Sequence, residues 1–110
     1  MKKEARIAHV EAIPGGGLLA IIFRGGWIDG LSAFPGRTGS GEVAEWLNGS
    51  RYLEELRGIS MGESLGAAEA AEVSGWAKAK GLPEVRVGKR NRMQARVIAE
   101  GFCMFLEGKG

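Results

Sequence analysis

Apolar residues recur along the chain at two different spacings, and these spacings predict short strands and helices. Strict alternation is typical of half-buried strands, and the unbroken apolar run over 18–23 is typical of a strand buried on both faces. The Gly25-Gly26 pair indicates a two-residue hairpin turn, because glycine tolerates positive φ. The predicted strands cover residues 6–10, 18–23, 27–34, 56–61 and 84–88.

Three helices are predicted where apolar residues recur three and four positions apart. Ser40 is expected to cap the first helix, and Ser64 is expected to cap a second helix that is rich in alanine. Asn91 and Gln94 have the spacing of a capping box and predict the start of the last helix. A further helical turn is expected within 50–55.

The predicted order of elements is β-β-β-α-β-α-β-α. Three meandering strands followed by alternating helices and strands is the order of the ribonuclease H-like fold, a fold that carries more than one function. We therefore predict a single α/β domain over 1–110 with a ribonuclease H-like mixed sheet. Enzymes of that architecture carry metal-binding carboxylates on the first strand, at the end of the fourth strand and on the last helix. The first and fourth strands are expected to lie side by side.

Composition narrows the class of protein. A chain of 110 residues that is 45% hydrophobic can form one domain with a small core. Its single cysteine, Cys103, excludes an intrachain disulfide framework and fits a reducing compartment. No apolar run approaches the roughly 20 residues that span a bilayer, and the N-terminus lacks the apolar region of a signal peptide. We therefore expect a cytoplasmic protein without a membrane partner.

Charge is distributed unevenly along a chain whose net charge is only +2. The segment 78–96 contains seven basic residues and one acidic residue, whereas 42–77 is acidic. A phosphate backbone is the natural partner of such a basic segment, because each neutralised phosphate releases counterions. The candidate nucleic-acid-binding residues lie at and near the start of the last helix, and they are Lys89, Arg90, Arg92 and Arg96. The alternative is that the basic residues of 78–96 form an ordinary solvent-exposed face, and that the acidic segment 42–77 balances their charge across the fold.

Three glutamates occupy the positions where ribonuclease H-like nucleases hold divalent ions, normally Mg²⁺, with carboxylates. Glu11 follows the first strand, Glu63 follows the fourth, and Glu100 lies midway along the last helix. If the chain is a metal-dependent endonuclease, Glu11 and Glu63 hold Mg²⁺ and Glu100 is a third catalytic carboxylate. If it is not catalytic, no cofactor is expected. In that case the glutamates have ordinary structural roles: Glu11 lies at a strand end, Glu63 lies near a helix N-terminus, and Glu100 forms an ion pair with Arg96.

His9 is the only histidine, and it lies on the first strand near Glu11. It can face the same site as a general base, or it can be a half-buried strand residue. The glycines of 36–41 have the spacing of a phosphate loop, but Glu42 and Val43 stand where that loop needs Lys and Ser or Thr. A glycine-rich turn is therefore the favoured interpretation of 36–41.

Four strings of this sequence resemble a mainly archaeal, uncharacterised family related to endonuclease V. KKEARIAHVEAIP is similar to that family's first strand, and LLAIIFRGGWIDG is similar to its second strand, turn and third strand. SRYLEELRGI resembles the approach to the fourth strand, and KGLPEVRV resembles the turn into the fifth. Together the strings cover about residues 2–90, and their shared order carries the resemblance.

This sequence departs from that family where a metal would bind. The family has two Asp after the first strand, where this chain has Glu11 and Ala12. It has Asp-Gly after the fourth strand, where this chain has Gly62 and Glu63, and Asp29 is the only Asp. The resemblance therefore implies a shortened relative that binds or processes nucleic acid with a reduced catalytic site.

The alternative function is a non-catalytic domain that keeps the fold and binds a protein partner or a second copy of itself. The last helix favours this alternative, because it is apolar almost all round. Its apolar residues include Ile98, Phe102, Phe105 and Leu106. We therefore expect a homo-oligomer, or a protein partner that binds through the C-terminal helix.

Overall fold

A computed structural model of the protein describes residues 5–34, 42–49 and 53–108. This part of the chain forms a mixed α/β fold with one four-stranded sheet and three α-helices. The strands are β1 (Arg6–Ala12), β2 (Leu18–Arg24), β3 (Trp27–Phe34) and β4 (Leu56–Met61). The helices are α1 (Glu42–Asn48), α2 (Ala67–Ala79) and α3 (Lys89–Gly108), and a 3₁₀ turn (Leu53–Glu55) precedes β4.

The sheet has the strand order β3-β2-β1-β4. β1, β2 and β3 are antiparallel neighbours, and β4 runs parallel to β1. The prediction that the first and fourth strands lie side by side is therefore confirmed. In the register of this pair, His9 of β1 lies beside Ser60 of β4. The turn between β2 and β3 is the predicted one, with Gly25 at a φ of 60°.

Helices cover both faces of β2, which explains its unbroken apolar sequence. Leu18, Ala20 and Ile22 pack in one core with residues of α1 and α2. The alternate residues of β2 face α3 instead, where Ala95 and Ala99 are buried against the sheet. The residues of β2 in this second core are Leu19, Ile21 and Phe23. The prediction that this strand is buried on both faces is confirmed.

The predicted fifth strand over 84–88 is wrong. Only one bridge forms there, a parallel one between Ile59 and Glu84, with a hydrogen bond from the Val85 N–H to the Ile59 carbonyl of 2.8 Å. The next apolar residue, Val87, is buried in the core beneath α3. The chain pairs with β4 only at this bridge, and α3 begins soon afterwards at Lys89.

Two of the predicted helix caps are also wrong. α2 begins after Gly66, whose N–H donates to Glu69 Oε1 at 3.0 Å, and the Ser64 side chain is used elsewhere. α3 begins at Lys89, so Asn91 lies inside the helix and its Nδ2 donates to the Gly25 carbonyl at 2.9 Å. The helical turn predicted within 50–55 is present as the 3₁₀ turn before β4, whereas Ser40, the glycines of 36–41 and residues 50–52 lie outside the described residues.

None of the helices within the described ranges is long and apolar enough to cross a membrane.

Candidate functional site

A row of buried polar side chains runs across β1 and β4 on the face that α3 covers. His9 is 0% exposed, and Glu11 and Ser60 are each 2% exposed. The alternation of β1 explains their placement, because His9 and Glu11 point to the opposite face from Ala8 and Val10. Buried polar groups need hydrogen-bond partners, so the contacts of these side chains decide what the row can do.

The buried side chains form one hydrogen-bonded chain, which we call the Glu11 network and which consists of Ser60, His9, Glu11 and Ser64. Ser60 Oγ and His9 Nδ1 share a hydrogen bond of 2.7 Å, and His9 Nε2 donates to Glu11 Oε1 at 3.0 Å. Ser64 Oγ donates to Glu11 Oε2 at 2.7 Å and accepts the Ala12 N–H at 3.0 Å. Both oxygens of the Glu11 carboxylate therefore have a protein donor.

The Glu11 network also determines the ionisation of Glu11. Burial raises the pKa of this carboxyl, because a charged group loses hydration. Hydrogen bonds from His9 and Ser64, together with the electrostatic attraction of His9 and Arg96, lower the pKa and outweigh burial. The pKa of Glu11 thus lies below its ordinary value of 4.5, and the carboxylate is ionised at neutral pH.

Gly62 lies directly against the Glu11 carboxylate. The Gly62 N–H donates to the Val10 carbonyl at 2.8 Å, which holds the end of β4 beside β1. A Cβ at residue 62 would lie 2.2 Å from both carboxylate oxygens of Glu11, which is far inside van der Waals contact. Glu11 cannot yield easily, because His9 and Ser64 bind its two oxygens. Position 62 therefore requires glycine for space rather than for backbone conformation.

We expect Gly62→Ala to lower the free energy of unfolding by about 2–3 kcal/mol, because the new methyl group displaces a buried, hydrogen-bonded carboxylate. Gly75→Ala is the matched control: this glycine lies within α2, and a Cβ there meets nothing within 4 Å. The control is expected to raise the free energy of unfolding by up to about 1 kcal/mol. Urea unfolding followed by circular dichroism measures both. Equal effects of the two substitutions would contradict this account of Gly62.

A pocket of about 380 Å³ opens above the Glu11 network, between the loop that follows β4 and the first two turns of α3. We call it the cationic pocket. Lys89, Arg92 and Arg96 share one face of α3 because they are spaced by three and four residues. The residues that line the pocket are Glu11, Gly62, Glu63, Ser64, Lys89, Arg92, Met93 and Arg96.

The three cations of this pocket outnumber the two carboxylates that line it, those of Glu11 and Glu63, although Arg96 attracts the Glu11 carboxylate. Among the residues that the structure describes, none of the three forms an ion pair within 4.0 Å of a carboxylate. Arg92 Nη1 donates to the Val87 carbonyl at 2.7 Å, which fixes its guanidinium at the pocket. Glu63 lines the rim, but its side chain is 85% exposed and lies 3.6 Å from Arg86 Nη2. The pocket therefore presents an excess of positive charge.

The structure brings together some of the predicted site residues and separates others. Glu11 and Glu63 both line the cationic pocket. Glu100 instead lines a small neighbouring cavity, which it shares with Glu11 and Ser64, and it forms no ion pair with Arg96. Three of the four predicted nucleic-acid-binding residues line the cationic pocket, whereas Arg90 lines a different groove along α3.

The donor set of this site does not fit Mg²⁺. Mg²⁺ is usually held by one or two carboxylates that are open to it, but the Glu11 carboxylate is 2% exposed with a protein donor on each oxygen, and the Glu63 side chain is 85% exposed at the rim. Lys89, Arg92 and Arg96 surround the same space and would repel a divalent cation. Nor do three or more His, Cys, Asp or Glu side chains gather as metal ligands anywhere in the described ranges. The same surroundings suit an anion.

Ser60, His9 and Glu11 are connected in the order of a serine–histidine–acid triad, yet they cannot act as one. A nucleophilic serine must reach its substrate, and both Ser60 and His9 are buried. His9 is fully buried rather than half-buried, and it is not placed to act as a general base because a substrate cannot reach it. Its observable role is to hold the Glu11 carboxylate in position.

Sequence reasoning did not identify Ser60 and Ser64 as members of this site. One feature of the sequence could have identified Ser60: it is a polar residue on a strand that is otherwise apolar and buried. Parallel pairing of β1 with β4 then places it beside His9. Ser64 was expected to be a helix cap, because Ser before an apolar helix is the common capping pattern. Its hydroxyl binds Glu11 instead.

No protein-family model, no curated protein and no solved structure matches this chain.

Proposed function

We propose that this protein is a nucleic-acid-binding domain of ribonuclease H-like fold that holds a phosphate backbone in the cationic pocket. The observation that carries the proposal is the set of three unpaired cations, Lys89, Arg92 and Arg96, along one face of α3. They line a concave surface, and none of them forms an ion pair within 4.0 Å with a carboxylate of the described residues. A bound anion would supply the missing negative charge.

The sheet supports the ribonuclease H-like part of the proposal. An antiparallel meander of β1, β2 and β3 is followed by β4, which runs parallel to β1. Helices lie on both faces of this sheet. The bridge at Glu84 stands where a fifth strand would pair with β4. These features agree with a compact version of that architecture.

The spacing of the cations favours a chain of phosphates over a single small anion. Lys89 and Arg96 are seven residues apart, which is about 10 Å along a helix axis. Successive phosphates of one strand are separated by a whole sugar unit, so a row of this length can contact more than one phosphate of a backbone. A single phosphate would contact only part of this row. The row is therefore matched to a backbone.

We propose binding without metal-dependent cleavage. The Glu11 carboxylate, which an endonuclease of this fold would use as a metal ligand, is engaged with His9 and Ser64. Its function in this protein is structural, because the network ties β1 to the loop that forms one wall of the cationic pocket. In this proposal the cationic pocket binds phosphate beside a carboxylate that holds no metal.

Salt-dependent binding tests the proposal. Fluorescence anisotropy with short single-stranded and duplex oligonucleotides is measured at several salt concentrations, with Mg²⁺ or with chelator at equal ionic strength. Wild-type binding is expected in both, and Arg96→Gln is expected to weaken it and lower the slope of log affinity against log salt by about one. Lys78→Gln, an equal charge change on exposed α2, is the control.

Two results would overturn the proposed function. One is wild-type protein that shows no salt-dependent binding to either oligonucleotide. The other is an equal loss of affinity in Arg96→Gln and Lys78→Gln, because this would assign binding to net charge rather than to the cationic pocket.

A further inference from the structure

Two large apolar side chains are exposed on the outward face of α3 within residues 89–101. Met93 is 59% exposed and Val97 is 67% exposed. Both lie on the side of the helix opposite Ala95 and Ala99, which pack on the sheet. A groove of about 740 Å³ runs along this face and continues to Ile28 of β3, itself 40% exposed.

Charged residues flank this apolar face at both ends with opposite signs. Arg90, Met93, Val97 and Glu100 are spaced by three, four and three residues, which is the spacing of a helix–helix seam. Arg90 and Glu100 are exposed, and neither forms an ion pair within the described part of the chain. The seam thus reads positive, apolar, apolar and negative along the helix.

We propose that α3 docks antiparallel against α3 of a second copy of this chain, about a twofold axis between Met93 and Val97. In this pairing Met93 packs on Val97 of the second copy, and Arg90 lies opposite its Glu100. The twofold axis repeats both contacts, so the seam forms four layers with two apolar layers at the centre. A helix seated in this way also covers the groove beside Ile28.

The seam itself selects a second copy as the occupant. The seam is positive at its N-terminal end and negative at its C-terminal end. An antiparallel copy therefore places Arg90 opposite Glu100 and Met93 opposite Val97 in every layer. A parallel copy would place Arg90 beside Arg90 and Glu100 beside Glu100, which is unfavourable. An isologous interface of this kind needs a self-complementary patch. One helix seam buries less than a standard interface, so we expect a dissociation constant of about 10–100 μM.

The pairing has a consequence for nucleic-acid binding, and this step alone rests on the proposed function. The twofold axis of two antiparallel helices runs perpendicular to both helices and parallel to their interface. It therefore leaves a flank of each helix on the same side. Lys89, Arg92 and Arg96 occupy one flank of the seam, so the dimer would present both cationic pockets on one side as a continuous basic surface.

Sedimentation velocity of the purified full chain, without nucleic acid, tests the pairing. Wild type is expected to shift from monomer to dimer as its concentration rises, and Val97→Lys is expected to stay monomeric. Arg90→Glu and Glu100→Arg each place like charges opposite one another in two layers, and each is expected to weaken the dimer about tenfold. The double variant Arg90→Glu/Glu100→Arg restores opposite charges and is expected to regain the wild-type dissociation constant.

Lys78→Glu on α2 is the control for a change of net charge, and circular dichroism checks that every variant is folded. The proposal is overturned if wild type stays monomeric at about 500 μM, well above the expected dissociation constant. It is also overturned if the double variant dimerises no better than the single ones. Dimerisation without nucleic-acid binding would leave the pairing intact and refute only the proposed function.

Discussion

Glu11→Ala is expected to lower the free energy of unfolding by about 3–4 kcal/mol, the largest loss of stability that we expect from one substitution. The change removes the acceptor for both His9 Nε2 and Ser64 Oγ, and it leaves a cavity where the buried carboxylate was. Urea unfolding at neutral pH measures the loss. Glu63→Ala is the control, because this exposed neighbour is expected to change stability by less than about 0.5 kcal/mol.

The same network gives the stability of the protein a defined pH dependence. The pKa of Glu11 is lower in the folded chain than the ordinary value of 4.5, so the folded state favours the ionised form. The stability that Glu11 contributes is therefore fully present above about pH 4.5 and is lost as pH falls through the lower, folded pKa. Glu11→Gln removes this contribution. The stability difference between wild type and Glu11→Gln is expected to shrink on acidification, and a difference that grows would contradict the ionised network.

The sequence was sufficient to predict features that depend on local order. The apolar run over 18–23 predicted β2 and its burial on both faces, because a strand without polar residues has no face for solvent. The basic residues Lys89, Arg92 and Arg96 were expected at and near the start of the last helix, and they share one face of α3 because this helix begins at Lys89 rather than at the predicted cap. Glu11 and Glu63 were expected near one another because β1 and β4 were expected to be neighbours, and both line the cationic pocket.

Features that depend on tertiary contacts could not be predicted in this way. Capping statistics assigned the Ser64 Oγ as acceptor of a helix N–H, but this oxygen accepts the Ala12 N–H instead, and its hydroxyl donates to the Glu11 carboxylate. The alternation over 84–88 predicted a strand, but the burial of Val87 beneath α3 ends the pairing after one bridge. In both cases a contact with a residue far along the chain outweighed a local preference.

Removing all three cations of the cationic pocket is expected to have the largest effect on binding. Each phosphate contact contributes about 0.9 log unit of affinity at about 0.1 M salt through counterion release. The combined variant Lys89→Gln/Arg92→Gln/Arg96→Gln is therefore expected to bind oligonucleotides about 500-fold more weakly than wild type, with a salt slope smaller by about three. The seam of α3 is untouched, so the variant is expected to dimerise normally.

A second triple variant distinguishes the effect of the cationic pocket on binding from the effect of total net charge. Lys78→Gln, Lys80→Gln and Arg57→Gln remove the same charge from exposed positions outside the pocket. Long-range attraction depends on total charge and is screened within about 10 Å at 0.1 M salt, so this variant is expected to keep most of its affinity and nearly all of its salt slope. If the two triple variants lose affinity equally, the cations of α3 act only as part of a diffuse positive surface. If only the pocket variant loses it, the phosphates lie against that face of α3.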